Sequence, residues 1–158
     1  DEFRFLFAEP KGLGKKAKEK DLEIHFYKRM LFQPIIKVEH QPDAVAPGRP
    51  DLSICFPDDI IFPIEVKKED KDTSKENINN NYLAQAQTYA SAQSGIGFLF
   101  VLDLTDKRLG TPIRNFKDNF YLDHKVVPNS TSQDCVIVVI FPANRFSPSD
   151  HSWKGRKN

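Results

Sequence analysis

The chain is short of several things that would narrow its role at once. It has two cysteines among 158 residues, Cys55 and Cys135. Two thiols cannot build a four-cysteine zinc site or hold an iron–sulfur cluster alone. Both sit in apolar strand-like runs and read as buried, reduced thiols of an intracellular protein. No apolar run approaches the ~20 residues that a membrane-spanning helix needs. Charge of one sign is also lacking: 23 Lys and Arg stand against 22 Asp and Glu, a net charge of +1. A wholly basic nucleic-acid footprint is thereby excluded, although carboxylates at a metal site would mask a local basic surface. Heptads and internal repeats are missing, and the seven glycines and eleven prolines fall at turns and not in a linker.

What is present points to one α/β domain. Thirteen phenylalanines can supply much of the core. Residues 1–7 read as a short strand or an arm. From Lys15 to Phe32 Leu22, Phe26 and Met30 recur at helical steps, and Pro34 stops the helix. Glu19 and Glu23 share that apolar side, where an acid costs free energy unless it has a partner or a task. Ile35 to Gln41 alternates as a strand, with His40 leading toward the next segment in a supporting role. Leu52–Phe56 and Ile60–Lys68 form two more strands around the turn at Pro57-Asp58-Asp59. Pro63 should make part of the third strand an edge or a bulge. Thr73-x-x-Glu76 has capping-box spacing, and a helix is expected from Lys75 to Gln93, closed by Gly95. Ile96–Leu104 is almost wholly apolar and reads as a buried strand, parallel to an earlier one across the helical crossover. Phe120–Val127 and Asp134–Phe141 add two strands. The expectation is a mixed central sheet flanked by helices: a core at about 15–104, a sheet extension at about 105–141 and a basic tail at 142–158, all one domain.

Chemistry concentrates between Gly48 and Lys68. Asp51 opens one strand, and Glu65 lies near the end of the next, with a tight turn between. The two acids therefore return to one place. Glu65 and Lys67 are two apart on a strand and point the same way. Two carboxylates suit a hard divalent ion such as Mg2+ or Mn2+, and a lysine beside them can reach a water held there. The same three residues could also be a strand-entry acid and a surface ion pair. Lys68 and Glu69 read as surface, Gln87 as solvent-facing, His25 as exposed or packed. Arg49 is a candidate phosphate contact.

Pro50-Asp51 followed by Glu65-Val66-Lys67 resembles the signature of the PD-(D/E)xK nuclease superfamily. Gln85-Ala86-Gln87-Thr88-Tyr89 is similar to the QxxxY motif of its RecB-like branch. The resemblance covers Lys15 to Leu104. It implies a restriction-endonuclease-like α-β-β-β-α-β core and a metal-dependent nuclease acting on phosphodiester bonds, DNA ahead of RNA. It further implies Asp51, Glu65 and the Val66 carbonyl as ligands of Mg2+ or Mn2+, and Glu23 (or Glu19) as the first-helix acid that completes or supports them. Lys67 would orient or activate the water, and Gln85 and Tyr89 would shape the site and hold a phosphate or the lysine. The alternatives are an inactive nuclease-fold module that binds nucleic acid or assembles with partners, and an RNA endonuclease. The expected setting is cytoplasmic or nuclear, away from membranes, as part of a larger polypeptide or a homo-oligomer. The start at Asp1 without Met fits an excised domain or a trimmed leader.

Overall fold

The computed structural model describes residues 4–7, 17–34, 36–42, 48–107, 115–126 and 133–145. Among them the chain forms α1 (Glu19–Met30), β1 (Lys37–His40), β2 (Leu52–Cys55), β3 (Ile61–Glu69), α2 (Lys75–Asn81), α3 (Leu83–Ala92), β4 (Ile96–Asp103), β5 (Phe120–Val126) and β6 (Gln133–Pro142). The strands make one six-stranded sheet in the order β1-β2-β3-β4-β6-β5. β1, β2 and β3 form the expected antiparallel meander. The crossover through α2 and α3 brings β4 in parallel to β3, β6 adds in parallel to β4, and β5 returns antiparallel to β6. No helix is long and apolar enough to cross a membrane among the described residues.

Alternation along the central strands divides the core into two layers. Ile64 and Val66 of β3 and Phe100 and Leu102 of β4 face α1, where Leu22 is fully buried and Phe26 and Met30 pack. Leu99 and Val101 of β4 and Val136, Val138 and Ile140 of β6 face the other way, onto Ile78, Leu83 and Ala86 of α2 and α3. β4 is covered on both faces, as its unbroken apolar run requires. Gly95 turns the chain from α3 into β4 at φ 74°, a left-handed conformation that favours glycine, with its N–H donating to the Ala90 carbonyl at 2.9 Å.

β3 is flanked by β2 on one side and by β4 on the other, but the pairing with β4 begins only at Ile64, so the part that holds Pro63 is an edge on that side, as expected. Four local readings are corrected. The expected single helix is broken at Tyr82, with φ −126° and ψ −25°. Asn79-Asn80-Asn81 favours helix poorly, and the Asn81 amide donates to the Asn77 carbonyl at 2.9 Å. The α2 cap is Ser74 and not the Thr73/Glu76 box: the Ser74 hydroxyl accepts from the Asn77 N–H at 3.3 Å, while Thr73 is buried. The two cysteines are free but half-buried, because β2 and β6 expose part of their faces there. Residues 4–6 form a single 3-10 turn and Phe7 bridges to Arg145, so this segment is neither arm nor strand. The basic tail beyond 145 and most of residues 1–16 lie outside the described residues.

Candidate functional site

The site forms where β2 stops accompanying β3. Their pairing ends at Leu52 opposite Ile64. Continuing that register sets Asp51 opposite Glu65. Beyond it, the N–H groups of Val66 and Lys68 face a side of β3 with no strand. Each finds a carboxylate instead: Asp51 Oδ2 accepts from the Val66 N–H at 2.7 Å, and Glu19 Oε1 accepts from the Lys68 N–H at 2.9 Å. The Val66 donor lies in the core and must be satisfied, while the Lys68 donor is bonded at the exposed edge, so both acids are fixed to the strand they would serve. The Val66 carbonyl points to the same side as its N–H.

Glu65 and Lys67 lie together on the α3-facing side of β3. The Glu65 side chain is 1 % exposed. Its Oε1 accepts from the Lys67 ammonium, while its Oε2 is buried with no hydrogen-bond partner. Burial pushes the Glu65 carboxyl up to about 7, aided by the charges of Asp51 and Glu19 and opposed by Lys67. Asp51 is also raised. Burial is the main cause, the Val66 hydrogen bond opposes it, and Glu23 and Glu19 add to it. For Lys67 burial acts downward, but the hydrogen bond to Glu65 and the surrounding carboxylates outweigh it and raise the ammonium overall. Lys67 is thus a charged donor at neutral pH, not a base.

Both first-helix acids reach this region by different routes. Glu19 extends to the edge of β3 and contributes charge to Asp51, Glu65 and Lys67. Glu23 is 7 % exposed, and its Oε2 lies 3.2 Å from His40 Nε2. Its charge is felt at Asp51.

The downstream pair is arranged as a prop. Tyr89 is buried, and its hydroxyl donates to the Arg49 carbonyl at 3.2 Å. Gln85, exposed on the same helix side, donates from Nε2 to the Tyr89 hydroxyl at 3.2 Å. The Tyr89 ring fills the space a side chain at position 48 would need: a Cβ there would meet ring atoms Cε1 and Cζ at 3.2 Å and the hydroxyl closer still. Gly48 therefore lets Tyr89 hold the loop that ends in Asp51. Arg49 is exposed, within this held loop.

Two neighbours depart from expectation. Glu69 is buried, not surface, because β3 runs one residue further than expected. It accepts from the Lys71 N–H at 2.7 Å, the Asp72 N–H at 3.2 Å, Asn77 Nδ2 at 3.0 Å and the Tyr82 hydroxyl at 2.8 Å. Burial alone would raise its carboxyl, yet these hydrogen bonds together bring it below the usual range. The strand alternation Glu65, Lys67, Glu69 was the available signal. Gln87 is also buried, not solvent-facing, since α3 turns it with Ala86 and Ala90 toward the sheet. His25 is packed edge-on against Phe5, with ring centroids 5.2 Å apart.

The donor set fits a hard cation. Asp51 feels the charges of Glu23 and Glu19, Glu65 feels those of Asp51 and Glu19, the Lys67 ammonium acts on both, and one buried Glu65 oxygen is unpartnered. Among the described residues no three His, Cys, Asp or Glu side chains gather into a ready-made cage. Mg2+-type sites need only one or two carboxylates, the rest being waters and substrate oxygens. Comparison with protein-family models and with curated proteins returned no match.

Proposed function

We propose that the chain is a metal-dependent nuclease that hydrolyses phosphodiester bonds, with DNA ahead of RNA as substrate. The observation that carries the reading is the unpartnered, buried Glu65 oxygen beside Asp51 and Lys67, at the point where the sheet opens. The element order and the meander followed by a parallel strand support a restriction-endonuclease-like core, in line with the PD-(D/E)xK resemblance.

Asp51, Glu65 and the Val66 carbonyl would hold Mg2+ or Mn2+, with Glu23 or Glu19 in support. A divalent ion there supplies positive charge to the phosphate in the transition state and acidifies a water. Lys67 would orient a water for in-line attack on phosphorus while keeping its own proton, its ammonium being raised; the proton of the attacking water would pass to solvent, and the departing oxygen would take one from solvent. The Gln85–Tyr89 prop keeps the Asp51 loop from shifting when the phosphate arrives. Arg49, in the same loop, contacts a neighbouring phosphate.

A second reading is favoured by the Lys67–Glu65 pair and by the absence of a three-ligand cluster among the described residues. In it the ammonium replaces the ion, and the fold is an inactive nucleic-acid-binding module. Mn2+ titration calorimetry with labelled DNA and RNA cleavage, on wild type and Asp51→Asn, separates the two. The nuclease reading expects Mn2+ binding and chelator-sensitive cleavage, both lost in Asp51→Asn. Wild-type protein that binds no divalent ion would leave the inactive module.

A further inference from the structure

We infer that His40 is a positioning residue for the candidate metal centre, holding Glu23 through its Nε2–H and thereby setting affinity for the ion. The inference rests on the nuclease reading and adds a residue that the sequence motifs do not include.

Among the described residues, the hydrogen-bond partner of the buried Glu23 carboxylate is His40, at 3.2 Å. A carboxylate is acceptor-only, so the ring nitrogen facing it carries hydrogen. The ring is itself fixed. It lies 5.7 Å from the Tyr27 ring, and Tyr27 stands one helical turn beyond Glu23 on α1. The opposite attachment is through the backbone. His40 ends β1 opposite Leu52, and the next residue, Gln41, donates its N–H to the Asp51 carbonyl at 2.8 Å. Two consecutive residues thus touch both acids, one by side chain and one by main chain.

The physical consequence follows from burial. A carboxylate at 7 % exposure with its donor removed is an unpaired buried charge. Without that anchor it turns away from the site and no longer supports a cation. Partners that orient metal-binding groups are worth about 10- to 100-fold in metal affinity.

The test is calorimetric titration of Mn2+ into the full chain. His40→Ala should weaken binding by about 10-fold or more. His40→Gln, whose amide nitrogen can take the place of Nε2, should return affinity to within about 3-fold of wild type. In a Glu23→Gln background, His40→Ala should change affinity no further, because the group it acts through is already altered. If His40→Ala binds Mn2+ as wild type does, the inference is overturned. It is also overturned if Gln fails to rescue while the circular dichroism spectrum is native, or if His40→Ala weakens binding equally in the Glu23→Gln background. Should His40→Ala not fold, the His40→Gln and Glu23→Gln pair decides alone, with Gln expected to keep affinity and Glu23→Gln to lose it. Wild type that binds no Mn2+ overturns the nuclease reading instead, and with it this inference.

Discussion

Replacing Glu65 with Gln should stabilise the metal-free protein, and only above mildly acidic pH. The Glu65 carboxyl rises from 4.5 in the unfolded chain to about 7 in the folded one. The folded state therefore binds the proton more tightly, and stability falls as pH rises through this window. The penalty is absent below about pH 4.5 and complete above about pH 7. A shift of this size corresponds to ~3 kcal/mol of differential interaction between the two protonation states. The opposing influence of Lys67 is already contained in that value. The amide removes the charge but places an NH2 where Oε2 had no partner, a cost of ~1–2 kcal/mol. The net gain is then ~1–2 kcal/mol at about pH 8, or ~2–8 °C in Tm for a chain of this length. Urea denaturation followed by circular dichroism, with chelator present and at three pH values, reads it. A variant that is destabilised at alkaline pH, or whose difference from wild type does not change with pH, would refute the assignment of Glu65 as a buried carboxyl short of partners.

Other residues give separate handles. Gly48→Ala should cost ~1–3 kcal/mol, since its methyl enters the Tyr89 ring and hydroxyl; in a Tyr89→Phe background the loss should shrink, as a double-mutant cycle on Tm would record. Gly95→Ala should cost ~1–2 kcal/mol from the left-handed φ of 74° alone, leaving Mn2+ affinity as in wild type. Tyr82→Phe removes one of the donors to Glu69 and should cost ~1 kcal/mol by urea denaturation.

The order of elements and the gathering of Asp51, Glu65 and Lys67 were legible because both follow from local pattern. Alternation located the first three strands, the apolar run located β4, and helical spacing placed Glu19 and Glu23 on a core-facing side. The strand period of two set Glu65 and Lys67 together, and the hairpin returned Asp51 to them. What could not be read depended on partners distant in sequence. Glu69 looked like loop charge until Tyr82 and Asn77 were folded onto it. The break at Tyr82 needed the competition between asparagine side chains and the helix backbone, which a period count does not include. Glu19 and Glu23 could not be told apart from spacing, and the structure gives them different anchors, the Lys68 N–H for one and His40 for the other.

The most direct measurement is Mn2+-dependent cleavage of labelled DNA by the wild type beside Lys67→Ala, with Mn2+ affinity recorded for both. Lys67 lies beside the acids as a charged donor. Its loss should slow cleavage by about 10²- to 10³-fold while leaving Mn2+ binding in place. Equal cleavage by the two proteins, or none by the wild type with Mg2+ or Mn2+ on either DNA or RNA, would contradict the account.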